Sequence, residues 1–243
     1  VKDTLKFFLA ISFCFTALQA KEVSIATLNW EPYIGESLPN KGYVAEVIKA
    51  AFAVNGHEVD LEILPWARVI KMAENQAVNA YGPEYYSEDL KENYYLSNPF
   101  PGGPLVFFKR KDSNISYKTL NDLSSYKIGV VRGYVNTTTF DNASFLQKEE
   151  SVNDITNFKK LIAGRIDLVV ADKYVGLYLI KQKLPESILK IELLSPPLEE
   201  KKLYLCFPKE IPQSKQLRDD FNEGLSLIRI NGKLNEFYSI LTN

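Results

Sequence analysis

The sequence predicts an α/β protein of two lobes joined by two strands. Three observations lead there. Residues after 20 open as strand, helix, strand, helix, which favours a partly parallel sheet covered by helices. A second unit of strands and helices starts after Ser113. Two stretches, near 109–112 and 196–202, interrupt the alternation where a chain would leave one lobe and later return.

Residues 1–20 read as a cleaved signal peptide. Lys2 and Lys6 precede a mostly apolar run from Leu5 to Leu18, and Ala20 offers a small residue at the cleavage point. The run is shorter than the ~20 residues of a membrane span. Cys14 follows Phe13, where a lipid-attachment site needs a small residue. The expected location is therefore the periplasm. Setting aside Lys2, Lys6 and Asp3 leaves 27 basic and 29 acidic residues. So even a balance argues against a nucleic-acid binder, which carries a basic patch.

The elements follow in order. Val23–Leu28 alternates as a strand. In Gly42–Asn55, Val44, Val47, Ile48, Ala51 and Phe52 recur at helical spacing and Gly56 stops the helix. Val59–Leu64 is a strand, and Trp66–Asn75 a helix with Trp66, Val69, Ile70 and Ala73 on one face. Residues 81–98 break the pattern with five tyrosines among acidic and polar residues; Leu105–Phe108 is then a strand with a charged exit. In the second unit, Thr119 caps a short helix over Leu120–Ser125, and Lys127–Val131 is a strand. Ser151 or Asn153 caps a helix carrying Ile155, Phe158, Leu161 and Ile162. Ile166–Ala171 is a continuous apolar strand, as expected of one buried on both faces. Lys173–Lys183 is a helix closed by Pro185. Leu203–Phe207 is a strand, and helices over Gln213–Ile230 and Leu234–Leu241 end the chain.

The usual catalytic sets are missing. His57 is the one histidine, and it follows the helix-stop Asn55-Gly56, which places it in an exposed turn. A hydrolase triad would need it, and no nucleophile-elbow pattern occurs. Cys206 is the one cysteine after residue 20 and lies in an apolar run, which suits a buried inert thiol. One His and one Cys do not make a zinc site, and no glycine-rich phosphate loop is present, so no metal or organic cofactor is expected. The pairs Glu149-Glu150, Glu199-Glu200 and Asp219-Asp220 read as solvated faces in helix- or loop-like contexts.

The order of several short motifs resembles the bacterial periplasmic solute-binding proteins of the polar-amino-acid type (type 2, family 3). They are Trp30-x-Pro32-Tyr33, the helix after Gly42, Pro65-Trp66-x-Arg68, Ser97-x-Pro99, Ile128-Gly129-Val130-Val131-x-Gly133, and Gly164-Arg165-x-Asp167 leading to Asp172. The resemblance covers the chain from residue 21 onward. It implies a type II periplasmic-binding-protein-like fold, with lobe one at 21–108 plus 203–243, lobe two at 112–198, and hinges at 109–112 and 196–202. It also implies a small polar ligand, held for an inner-membrane transporter permease or a sensor by a monomeric protein that is not an enzyme. Ligands of open α/β sheets collect at the C-terminal ends of strands. That points to Trp30, Tyr33, Trp66, Arg68, Glu84, Arg132, Tyr134 and Asp172 as ligand-binding.

In the family a carboxylate at the position of Asp172 holds the ligand's α-amino group; Asp172 is equally suited to cap the following helix. The family's amino-acid binders also place an arginine shortly before the Ser-x-Pro motif, where this chain reads Ser87-Glu88-Asp89-Leu90-Lys91. Lysine does not replace a bidentate guanidinium, so Arg68 or Arg132 is the expected substitute. Trp30, Tyr33 and Trp66 either wall the ligand or pack the core of lobe one. Two alternatives stay open. A dehydratase of a cyclic acid on the same scaffold would show an acid such as Glu84 in the cleft with a raised pKa. A ligand-free interaction module would show a cleft filled by its own side chains.

Overall fold

The computed structural model describes residues 21–242; the expected signal peptide lies outside the described residues. Among them, no helix is long and apolar enough to cross a membrane. The chain order is β1 (Lys21–Thr27), α1 (Tyr43–Ala53), β2 (His57–Ile63), α2 (Trp66–Glu74), β3 (Ala80–Glu84), α3 (Leu90–Asn93), β4 (Tyr94–Leu96) and β5 (Phe100–Arg110). There follow β6 (Lys127–Val131), α4 (Thr138–Asp141), β7 (Gln147–Ser151), α5 (Asp154–Ile162), β8 (Leu168–Asp172) and α6 (Lys173–Lys183). The chain ends with β9 (Ile191–Leu193), β10 (Glu199–Pro208), α7 (Ser214–Ile230) and α8 (Lys233–Thr242).

The strand order β2-β1-β3-β10-β5-β8-β6-β7 contains the same unit twice. In each half the first strand lies between the second and the third, all three parallel: β2-β1-β3 and β7-β6-β8. One antiparallel strand closes each unit, β10 against β3 and β5 against β8. These two strands pair with each other over Phe100–Leu105 and Glu199–Leu203, and so join the lobes. Leu105–Lys109 pair with β8. The interval expected for the second hinge, 196–202, overlaps the pairing on β10.

Lobe one packs α1 and α7 against the sheet. Gly224 makes this possible: a Cβ there would lie 1.9 Å from the Ala51 carbonyl oxygen. Phe52 and Phe221 meet at 5.4 Å between ring centres. In lobe two, the alternation of β5 sends neighbouring rings to opposite faces. Phe107 packs against Phe140 and Tyr117 on one face, and Phe108 against Phe158 on the other. Lobe one also grips the joining strand: Tyr43 donates to the Pro101 carbonyl and Tyr238 to that of Gly102.

Several expectations need correction. His57 begins β2 rather than sitting in an exposed turn, and its Nε2 lies 2.7 Å from Asp220 Oδ2. Glu149 and Glu150 belong to β7, a parallel edge strand whose charges are what an open edge carries. Glu199 and Glu200 begin β10. Ala80–Glu84 is a strand despite Gly82 and Pro83, which argue against one. The buried thiol, by contrast, is as expected: Cys206 is fully buried, and burial pushes its pKa well up.

Candidate functional site

The six parallel strands aim their C-terminal ends at one cleft. From lobe one, β1 leads to Trp30 and Tyr33, β2 to Trp66, and β3 to Glu84 and Tyr85. From lobe two, β6 leads to Gly133 and Tyr134, β7 to Asp154, and β8 to Asp172. This convergence is the topological reason that residues far apart in sequence meet.

Asp172 stands at the centre, 3% exposed. Its Oδ1 caps α6, accepting from the backbone N–H of Tyr174 at 2.8 Å and of Val175 at 3.3 Å. Its Oδ2 accepts two hydroxyls from the opposite lobe, those of Tyr33 and Tyr85, each at 3.0 Å. Cap and cleft roles are thus divided between the two oxygens of one carboxyl. Burial pushes its pKa up to about 6, and the four donors hold it from going further.

Two more carboxyls share the cleft. Asp154, in the first turn of α5, accepts the Tyr134 hydroxyl at 3.3 Å, and burial raises it to about 7. Glu84 has one hydrogen-bond donor, the N–H of Tyr85 at 2.9 Å, and burial raises it to about 8. Asp172, with four donors, is raised least, and Asp154 and Glu84, with fewer, are raised further, as expected when hydrogen bonds to the charged form offset desolvation. None of the three forms an ion pair among the described residues.

The walls are aromatic. Trp30 stacks on Tyr33 at 4.7 Å and meets the edge of Tyr85 at 5.8 Å. Trp66 crosses between lobes: its Nε1 donates to the Gly133 carbonyl at 3.1 Å, and Tyr134 packs edge-on against it at 5.8 Å. Between Trp30, Trp66, Tyr85, Tyr134 and Glu84 remains a space of about 20 Å³, room for about one water. It adjoins an open groove of about 660 Å³ that Trp30, Trp66, Tyr134 and Asp154 help to line.

Trp30, Tyr33, Trp66, Glu84, Tyr134 and Asp172 therefore come together. Arg68 and Arg132 do not. Arg68 is exposed on α2, because two residues along a helix from Trp66 is most of a half-turn away from its face. Arg132 is exposed and its Nε is paired with Glu150 of the edge strand β7 at 2.7 Å. Lys159 and Lys183 line the open groove, and a buried cation, Lys201, stands beside Tyr85 in a charged run that reads as a solvated connection. It is 3% exposed, donates to the Asn136 carbonyl and to Glu199, and lies 4.9 Å from the centre of the Tyr85 ring. Tyr85 and Asp154 are the other residues that sequence reasoning missed. A signal existed for both, since each sits at the end of a parallel strand, but neither strand was legible.

No family model matches the chain, and no curated protein matches it. Solved structures do. The GluR0 ligand-binding core from Nostoc punctiforme in complex with L-glutamate is 19% identical, with 90% of this chain and 98% of that chain covered and a TM-score of 0.74. An ancestral arginine-binding protein bound to arginine is 19% identical over 91% and 98%, with a TM-score of 0.77. A histidine kinase sensor domain with similarity to periplasmic binding proteins is 17% identical over 91% and 96%, with a TM-score of 0.79. These likenesses, with the doubled sheet unit, show that the chain has the two-lobe, periplasmic-binding-protein-like α/β fold.

Proposed function

We propose that this protein is a periplasmic solute-binding protein that closes on a small polar solute for an inner-membrane transporter or a sensor. The observation that carries the reading is the contact of Asp172 in lobe two with Tyr33 and Tyr85 in lobe one. A buried carboxyl that holds two hydroxyls across a cleft is placed to exchange them for donors on a ligand. Names of similar structures, bound to glutamate or arginine, support the same use of the fold. The lobes under this reading run from 21 to about 104 plus 203 onward, and from about 105 to 198. Closure follows because a ligand gains the Asp172 contacts only when the lobes meet, and that difference in affinity shifts the equilibrium.

Native mass spectrometry of protein purified without refolding tests this. A stoichiometric small molecule supports the proposal. A protein that carries none, and that binds no small polar solute in calorimetry, is instead an interaction module with a self-filled cleft.

A second reading has one observation in its favour. Glu84 is a cleft acid held neutral at pH 7, the state a general acid needs. A dehydratase on this scaffold would lose turnover of a cyclic acid on Glu84→Gln. Absence of any such turnover in the native chain removes the reading.

A further inference from the structure

We infer that the cleft selects an organic amine cation that carries no carboxylate group. The inference rests on the binding-protein reading and names the class of solute. Three features of the closed cleft lead to it, and each concerns different atoms.

The first is uncompensated acid. Glu84, Asp154 and Asp172 are each at most 6% exposed; Asp172 raises Asp154, and Glu84 and Asp154 both disfavour ionisation of Tyr134 between them. Burial favours their protonated forms. An ammonium group offers the other solution, since an opposite charge lets a buried carboxylate stay ionised.

The second is where the cations stand: among the described residues Lys159 and Lys183 line the open outer groove, and no lysine or arginine lines the small space beside Glu84. Arg68 and Arg132 face solvent. The Lys201 ammonium has three donors. One serves Asn136 and one Glu199, and the group lies over the Tyr85 ring. Its charge is shared between Glu199 and Glu84, whose carboxyl it draws down against the larger effect of burial. A ligand carboxylate in the space beside Glu84 would be buried against an acid with no cation lining that space, which is strongly unfavourable.

The third is the aromatic wall. Trp30, Trp66, Tyr85 and Tyr134 surround the small space above Glu84. Ring faces attract cations and tolerate a hydrocarbon body, and they offer nothing to a carboxylate.

The test is calorimetry on the chain from residue 21 with matched pairs that differ by a carboxylate: agmatine against arginine, tyramine against tyrosine, cadaverine against lysine. The expected result is a pair whose amine binds at least about tenfold tighter, a difference of about 1.4 kcal/mol. Asp154→Asn should then weaken that amine about tenfold or more without lowering the melting temperature, because it removes a charge rather than a core contact. Glu84→Gln serves as a second variant should the first fail to fold. If an amino acid binds tighter than its amine, the inference falls and the binding-protein reading stands. If no pair binds, the co-purifying solute decides. An amine without a carboxylate upholds the inference, any other solute overturns it alone, and no solute overturns both.

Discussion

The two lobes share one strand order and contribute opposite chemistry. Lobe one brings rings and donors to the cleft: Trp30, the hydroxyls of Tyr33 and Tyr85, and the indole N–H of Trp66. Lobe two brings acceptors: Asp172, Asp154 and the Gly133 carbonyl. The acids of lobe two also sit at helix N-termini, Asp172 as the cap of α6 and Asp154 in the first turn of α5. The positive end of a helix favours a carboxylate there. Glu84, the one of these three buried acids that lobe one supplies, lacks such a helix, and it holds its proton to the highest pH of the three. Identical scaffolds thus become complementary through what stands at their strand ends, and closure without a ligand is a meeting of donors with acceptors.

The strongest way to break this complementarity is at Asp172. Asp172→Ala removes a helix cap and leaves two buried hydroxyls without their acceptor. Thermal and chemical denaturation should show a loss of about 3 kcal/mol or more. Asp172→Asn keeps an oxygen for the cap, so it should lose clearly less stability while still weakening an amine by about 1.5–3 kcal/mol. Equal stability losses for the two variants would mean that the cap of α6 counts for nothing.

Next in size is pH. Glu84, Asp154 and Asp172 titrate above their ordinary values, near 8, 7 and 6. Between about pH 4 and 8 the folded, closed protein therefore binds more protons than the unfolded chain, and stability falls as pH rises. The contribution is complete below the unfolded pKa values near 4 and lost as pH passes 6, 7 and 8 in turn. The melting temperature at pH 5 should exceed that at pH 8. The reverse order would show that the acids are not buried together in solution.

Smaller changes sharpen the comparison. At Gly103 a Cβ would lie 2.4 Å from the Tyr33 hydroxyl and 2.6 Å from Tyr174. Gly103→Ala should displace Tyr33 from Asp172, at a cost of about 1–2 kcal/mol, and small-angle scattering should report a more open molecule. A melting curve and scattering profile like those of the parent would count against the wedge. Tyr33→Phe and Tyr85→Phe should each lower stability by about 1 kcal/mol. The double variant should depart from the sum of the singles, because both hydroxyls use one oxygen of Asp172. Additive losses would separate the two contacts.

Much of the scaffold was legible because its strands and helices follow period 2 or 3.6. β1, β6, α1, α2 and α6 lie within a few residues of their expected limits. The parts that escaped are those where local chemistry disguises the element. In β3, Tyr81-Gly82-Pro83-Glu84 reads as part of a break in the pattern, yet pairing with β1 and β10 makes it a strand. In β7, Gln147-Lys148-Glu149-Glu150 reads as a surface stretch, yet it pairs with β6. Losing those two strands hid the residues that follow them, Tyr85 and Asp154. Asp172 was found because β8 is apolar throughout and ends in a charge. The arginines misled for a related reason: a strand end near the cleft does not fix the direction of a side chain one or two residues later.

The contact of Trp66 with Gly133 has one more consequence. The chain has two tryptophans, Trp30 and Trp66. Both are buried in the cleft, at 8% and 7% exposure, and the indole N–H of Trp66 ends on the other lobe. Every photon that this protein emits from tryptophan therefore originates inside the clamp. Opening would release the Trp66 N–H to water and shift the emission to longer wavelength, so the molecule carries its own optical gauge of closure without any attached dye.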